Sequence, residues 1–515
     1  MTVAGRSARR GRTALGAAAG LAAALVALGA AELLAALVRS QASPVVAVGG
    51  SVIDASPVWL KDFAIRTFGT NDKPVLIGSI LAVLLLLSLV TGALAVRRLG
   101  IGIAGVAVLG LVGAAAAATR PDFQALDPLP SVVGAVAGAV ALVTILRPVT
   151  ESDPAQPLAD ESRRRVLVVG LWAVAAGVVA GTVGRLVTRR QADVTASRAA
   201  VRLPKPASPA TAVPRGSDLA IDGLTPFRTA NADFYRVDTA LLVPQVATEG
   251  WTLRVHGMVD RELELTFDDL LERDLVERDI TLTCVSNEVG GTYAGNARWL
   301  GARLADLLDE AGVMDGADMI LSTSSDRMTI GTPTAVVMDG RDALLAVGMN
   351  GEPLPPEHGF PCRMVVPGLY GYVSATKWLV DLELTRFADA SAYWTDRGWA
   401  ARGPIKTMSR IDTPRPFAKP KAGRVAVAGV AWAQHRGIEK VEVRVDGGSW
   451  HQARLAEVPS TDTWRQWVWQ WDATPGGHTL EVRATDSDGA TQPEKRAEPF
   501  PSGATGWHAT SVTVE

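Results

Sequence analysis

Cysteine is nearly absent from this chain of 515 residues. Its two thiols, Cys284 and Cys362, cannot build a disulfide framework or a four-thiolate zinc or iron–sulfur site. An excess of one charge sign is lacking as well. With 51 Lys+Arg against 53 Asp+Glu the net charge is −2, so there is no basic field that would give reason to expect nucleic acid as a partner. Histidine is scarce, and all six (His256, His358, His435, His451, His478 and His508) lie beyond the first 250 residues. Apolar residues, by contrast, make up 48% of the sequence and are unevenly spread, so the average describes neither half.

Between Arg12 and Arg39 the only ionisable residue is Glu32. Four further stretches, Pro74 to Val96, Leu99 to Thr119, Pro128 to Leu146 and Val166 to Gly184, contain no Asp, Glu, Lys or Arg. A hydrocarbon core of ~30 Å is crossed by ~20 apolar helical residues, so five transmembrane helices are expected. Buried helices of a soluble core are the alternative, but such helices rarely lack a polar face over this length. Arg6, Arg9, Arg10 and Arg12 precede the first span, Arg97 and Arg98 sit in the second connection, and Arg147 with Arg163, Arg164 and Arg165 flank the fourth. The positive-inside rule therefore places the N-terminus in the cytoplasm and everything after the fifth span outside. No histidine lies in the spans, so paired imidazole ligands for an intramembrane haem are absent. Glu32 suits either a functional intramembrane carboxylate or one that snorkels to the interface.

The run Glu161-Ser162-Arg163-Arg164-Arg165 before the last apolar stretch has two readings. It serves as a positive-inside anchor, and it also resembles a twin-arginine export signal, which carries folded proteins across a membrane. Val201 to Arg215, rich in Pro, Ala, Ser and Thr, suits a semi-extended tether. From about Asp218 short alternating runs interleave with helical patterns such as Leu304 to Ala311, which predicts a mixed α+β domain. After Ala422 alternating strands recur between turn signals such as Asp446-Gly447-Gly448 and Pro475-Gly476-Gly477, which predicts an immunoglobulin-like β-sandwich. The expected organisation is residues 1–190 as a five-helix membrane domain, 191–217 as linker, 218–420 as the α+β domain and 421–515 as the sandwich.

The chemistry concentrates in the α+β domain. Ile280-Thr-Leu-Thr runs into Cys284 and then into Val-Ser-Asn287-Glu-Val-Gly-Gly291, a β-rich approach that delivers a thiol into a small-residue loop. Taken alone, a lone cysteine is more often an inert buried side chain. Further on come Met349-Asn-Gly-Glu-Pro-Leu-Pro-Pro-Glu-His358-Gly-Phe-Pro-Cys-Arg363-Met-Val-Val-Pro-Gly368 and Tyr370-Gly-Tyr-Val-Ser374-Ala-Thr-Lys377-Trp378.

In this order, and followed by the sandwich, the segments LTCVSN, ARWLGARL, MNGEPLPPEHGFPCRMVVPG and KWL resemble the sulfite oxidase family over roughly residues 220 to 515. The resemblance implies a central domain that binds molybdopterin, the molybdenum cofactor, and a C-terminal domain through which a homodimer forms. It implies Cys284 as the thiolate on molybdenum, and a metal-bound thiol needs no neighbouring base. It also implies Arg236 near the cofactor and the anion pocket, Asn287 at the family's spacing after the cysteine, and His358 and Arg363 on pterin and phosphate. Lys377 matches the family's KW lysine. One extra residue before it leaves Ser374 or Ala375 for the neighbouring serine position. Cys362 reads as a core side chain.

Three departures bear on substrate. Sulfite-oxidising members place arginines after the Cys-x-x-Asn stretch, where this chain has Glu288 and Val289, and their active-site tyrosine is replaced by Val347. A sulfite dianion needs local positive charge to offset its desolvation, so plain sulfite is not the expected substrate. The expectation is a membrane-anchored, extracytoplasmic oxidoreductase. It transfers an oxygen atom to or from a small sulfur compound or S-oxide and exchanges electrons with a separate partner. A cofactor loaded before export favours the twin-arginine reading. Two rivals are a cofactor-free surface receptor on the same fold and a hydrolase with a cysteine nucleophile.

Overall fold

The computed structural model describes residues 3–68, 71–152, 159–191 and 193–515. The side chains of Arg6 and Arg9, used above for orientation, lie outside the described residues, as does residue 192 of the expected linker. The chain forms two compact units, one of residues 1–193 with 239–243 and the other of residues 194–238 with 244–515.

The first unit is helical: α1 (Val3–Val38), α2 (Pro44–Ala55), α3 (Val58–Phe68), α4 (Asp72–Ala95), α5 (Leu99–Ala118), α6 (Leu129–Thr150) and α7 (Asp160–Gln191). Five of these, α1 and α4 to α7, are long and apolar enough to cross a membrane. Helix α1 packs on α4, α6 and α7 through its smallest residues. A Cβ added at Gly20 would run into the backbone of Gly92 and Ser88, and one at Gly29 into the carbonyl of Gly177. Close backbone approach at small residues is how helices associate where no hydrophobic effect drives them together. Outward faces carry Leu86, Leu111, Val136, Leu171 and Trp172. The segment from Ser40 to Lys73, expected only as a connection, contains α2 and α3, and at 12 and 11 residues neither is long enough to register as a span. Near this end Arg39 donates to Asp127 at 2.8 Å, Arg120 pairs with Asp54 at 2.8 Å, and Ser43 donates to Glu32 at 2.6 Å.

The second unit contains α8 (Thr195–Ala200), α9 (Phe267–Leu271), α10 (Leu304–Ala311) and 18 strands. One sheet has the order β2 (Leu263–Thr266), β1 (Thr252–Gly257), β10 (Leu379–Thr385), β5 (Met319–Ser324), β6 (Thr329–Pro333). A second runs β3 (Val276–Thr283), β4 (Ala294–Arg303), β7 (Leu344–Met349), β8 (Glu352–Pro353), with β9 (Arg363–Val365) also on β7. Helix α10 buries Leu304, Leu307, Leu308 and Ala311, one face at helical spacing, and stops at Gly312, whose φ of 71° favours glycine.

Two four-stranded antiparallel sheets follow. One has the order β11 (Met408–Thr413), β12 (Gly423–Trp432), β16 (Arg465–Ala473), β15 (Arg454–Leu455). The other runs β14 (His451–Gln452), β13 (Ile438–Val445), β17 (Gly476–Asp486), β18 (His508–Val514). They share one core of Val427, Val441, Val443, Trp467, Leu480 and Val482. Strand β11 precedes the boundary expected at 420 and pairs with β12 all the same. The Pro-rich stretch expected as a tether is also placed: Ser208 bridges Val276, and Ala207 N–H donates to Leu275 at 2.8 Å. Its extended backbone serves as a partial edge partner for β3.

Candidate active site

The end of β3 delivers the thiol. Cys284 N–H donates to the Tyr293 carbonyl at 2.9 Å, and Asn287 N–H donates to the Cys284 carbonyl at 3.1 Å. The Asn287 side-chain oxygen, buried, accepts from Tyr293 N–H at 2.8 Å. Asn287 is therefore spent on closing the turn from 284 to 293. Cys284 forms no disulfide and is half-buried, whereas Cys362 is fully buried, and burial pushes its thiol pKa up. The core role read for Cys362 fits that environment.

His358 ends a 3₁₀ turn that begins at Pro356, and β9 opens with Arg363. His358 Nε2 lies 2.9 Å from the Asn231 carbonyl. A carbonyl only accepts, so Nε2 carries the hydrogen and Nδ1 is left as an acceptor. Burial, joined by the positive charges of Arg363, Lys377 and Arg236, pushes its pKa down to about 4 and keeps it neutral. Arg363 is 5% exposed, sits 5.0 Å over the Trp299 ring and donates through Nη1 to the His358 carbonyl at 3.0 Å. Its Nε has no hydrogen-bond partner among the described residues, and burial lowers its pKa to about 10. A buried guanidinium without a carboxylate is costly unless an anion completes it.

Lys377 donates to Asp238 at 2.6 Å, and Arg236 Nε donates to the same carboxylate at 2.8 Å. Burial pushes Lys377 down to about 8, against the pull of Asp238. Three cations thus gather near His358, and Asp238 pairs with two of them. Ser374 is fully buried and donates to the carbonyls of Leu369 and Tyr370, both at 3.0 Å. Its hydrogen is committed to its own loop, so only its lone pairs could meet a ligand.

Several neighbours escaped the sequence analysis. Tyr235 stacks on Phe234 at 5.2 Å, and burial with the nearby Cys284 charge raises its pKa. Tyr370 is pushed up to about 12, by burial first, with Cys284 contributing. Both phenols thus lie within electrostatic reach of Cys284, although Val347, fully buried on β7, supplies none. The adjacency of Tyr235 to Arg236 was the available signal. Asp238, two residues further on, had none.

These features fit molybdopterin. Among the described residues no group of three or more His, Cys, Asp or Glu side chains could hold a metal ion, so a metal on Cys284 would need further donors from outside the chain. The unsatisfied Arg363 and the excess of cations suit a phosphate, and the neutral His358 Nδ1 suits a ring N–H.

Comparisons with known proteins agree. The oxidoreductase molybdopterin binding domain family matches residues 240–394, which include Cys284, Asn287, His358, Arg363, Ser374 and Lys377 but not Arg236. Chicken sulfite oxidase is 30% identical over 323 residues, 53% of this chain and 69% of that protein. Mouse mitochondrial sulfite oxidase is 30% identical over 303 residues, 49% of this chain and 55% of its own length. An uncharacterized Bacillus subtilis oxidoreductase, YuiH, is 35% identical over 153 residues, 30% of this chain and 74% of that protein. The chain spans about half the length of the mitochondrial relatives it matches. It carries an oxidoreductase molybdopterin binding domain, and it belongs to the sulfite oxidase family.

Proposed function

We propose that the protein is a membrane-anchored enzyme with its catalytic unit outside the cytoplasm. It transfers an oxygen atom to or from a small sulfur compound or an S-oxide in preference to sulfite. The observation that carries the reading is the buried, unpaired Arg363 guanidinium beside neutral His358 and the Lys377–Asp238–Arg236 cluster. A bound molybdopterin supplies a metal centre able to exchange an oxygen atom and two electrons. Cys284 provides the soft thiolate for that metal. Arg363, Lys377 and Arg236 hold the phosphate end, and His358 Nδ1 accepts from a pterin N–H. Asn287 acts by fixing the cysteine turn, and Ser374 by fixing the loop before Lys377.

The departures set the substrate class. Glu288 and Val289 follow the cysteine turn in place of arginines, so these two positions supply none of the charge that would offset desolvation of a dianion. A neutral S-oxide or thioether makes no such demand. Electrons pass to or from a separate redox partner. The immunoglobulin-like reading of residues 421–515 and a homodimer through them are part of the same proposal, as are the domain limits given above. Arg163, Arg164 and Arg165 lie exposed near the start of α7, as an export signal or an anchor requires. Replacing Arg163 and Arg164 by Lys is expected to strand the catalytic unit inside the cell, and unchanged cleavage by external protease would count against export by that route.

Turnover decides the substrate. With an artificial one-electron dye as partner, the purified enzyme should reduce S-oxides with a higher kcat/KM than it oxidises sulfite. Faster sulfite oxidation would overturn the assignment.

A further inference from the structure

The C-terminal sheets touch the reactive loop at both of its ends. Strand β3 is the edge of its sheet, and edges left open are unstable. At Thr281 that edge is closed from the C-terminal part: Thr281 N–H donates to the Asp462 carbonyl at 2.9 Å, and Trp464 N–H donates to Thr281 Oγ1 at 2.8 Å. Gln434, fully buried in the β12–β13 connection, donates through Nε2 to the Thr281 carbonyl at 2.9 Å and to Thr283 Oγ1 at 3.0 Å. Its Oε1 has no partner among the described residues. An orphaned acceptor in a dry site is a cost that the fold tolerates at this position, and what it obtains is two donors on the three residues leading into Cys284.

The far end of the loop is held from β11 and β18. Arg410, 5% exposed, donates through Nη1 to the Gly291 carbonyl at 2.7 Å. Its other arms are fixed by Asp412 at 2.6 Å and Thr225 at 2.9 Å. The His508 ring stands against Gly290, whose φ is 81° and where a Cβ would strike the ring. That ring is oriented by accepting the Ile411 N–H at Nδ1, 3.0 Å away. Arg410 on β11 and His508 on β18 thus come from the two different C-terminal sheets and press on consecutive residues of the turn.

We propose that the C-terminal sheets act as a positioning clamp on Cys284, with Gln434 fixing the strand that enters the thiol and Arg410 with His508 fixing the turn that leaves it. The inference rests on the reading of Cys284 as metal ligand. It assigns these three residues to holding the sulfur in place, since a ligating side chain must be kept within ~0.5 Å of its productive position by supports that are themselves locked. It also gives the C-terminal part a task within each chain, separate from any subunit contact.

The test uses the full chain in detergent, made without molybdenum so that the thiol is open to reagent. The second-order rate of Cys284 alkylation by iodoacetamide is measured with buried Cys362 as silent reference, together with hydrogen exchange over residues 281–291. Gln434→Leu and Arg410→Gln are each expected to change the alkylation rate by about tenfold, the scale on which supporting partners act on ligands, and to lower exchange protection in the loop. Val482→Ala, which thins the shared sheet core away from the loop, should lower the melting temperature and leave the Cys284 rate within about twofold. Equal rate changes in all three variants, or no change in the first two, would overturn the clamp. Either of the first two suffices if the other fails to fold. A wild-type enzyme that binds no molybdenum when supplied with it would sink the metal reading, and the labelling contrast would still decide the clamp.

Discussion

The helical unit and the sheet-rich unit bury their backbones by opposite means. In the first, Gly16, Gly20, Gly29 and Gly92 on α1 and α4 bring helices together with almost no side chain between them, while Leu111, 66% exposed, and Trp172, 73% exposed, face outward. In the second, Trp299, Trp432, Trp464 and Trp467 are fully buried, and the outer strand faces carry pairs such as Arg444–Glu481 and Arg483–Glu442. The first arrangement suits an apolar solvent and the second suits water. One chain therefore holds two styles of packing, and its average composition is their sum.

Acid should separate the two most strongly. His358 is held down to about 4 in the folded state, against an ordinary value near 6.5. Between those values the unfolded chain takes up a proton that the folded chain refuses, so stability falls as pH drops from about 6.5 to about 4 and does not fall further on this account below that. The loss is up to about 3 kcal/mol for His358, and His508, also lowered to about 4, adds to it. Tryptophan-detected melting, which the sheet-rich unit dominates, should show the slope, and His358→Gln should flatten part of it. The first 190 residues contain no histidine, so a probe placed there should lack this component.

Next in size is Arg363→Leu. Removing a charge-assisted anchor worth about 1.5–3 kcal/mol should weaken cofactor retention by roughly 10–100-fold, read as pterin released on dialysis, and leave the helical unit untouched. The complementary change is Gly29→Ala. Its new methyl meets the Gly177 carbonyl and should cost the helical unit about 1–3 kcal/mol, seen as earlier dissociation in rising detergent, with molybdenum content unchanged. The smallest effect belongs to Glu32→Gln. The amide still accepts from Ser43, so melting of the helical unit should shift by less than about 0.5 kcal/mol, and a larger loss would mark the carboxylate as a functional charge.

Long, one-sided signals were legible in the sequence, and features made by distant pairing were not. Charge-free runs of about 20 residues marked the five long helices. The 12 residues of α2 fell below that length, and α3, with Lys61 and Asp62, carries charge. Alternation marked β12, β13, β16 and β17. Strand β11 was missed because Arg410 and Asp412 interrupt its apolar run, their charges being spent on each other and on Thr225 and Gly291. The prolines of Val201 to Arg215 signal extended backbone but cannot say that β3 lies beside it. At the site Cys284, His358, Arg363 and Lys377 were found through resemblance. Asp238 and Tyr235 join the candidate site only because distant residues fold onto them, as the Lys377–Asp238 bond across 139 positions shows.

The central claim is that Cys284 completes a molybdenum site. Metal and pterin content, with the sulfur ligand count from X-ray absorption, tests it most directly on wild-type protein and Cys284→Ser made in a cofactor-competent host. The account predicts near-stoichiometric molybdenum and pterin in the wild type and one fewer sulfur ligand in the variant. Wild-type protein carrying neither, or an unchanged sulfur count after the substitution, would contradict it.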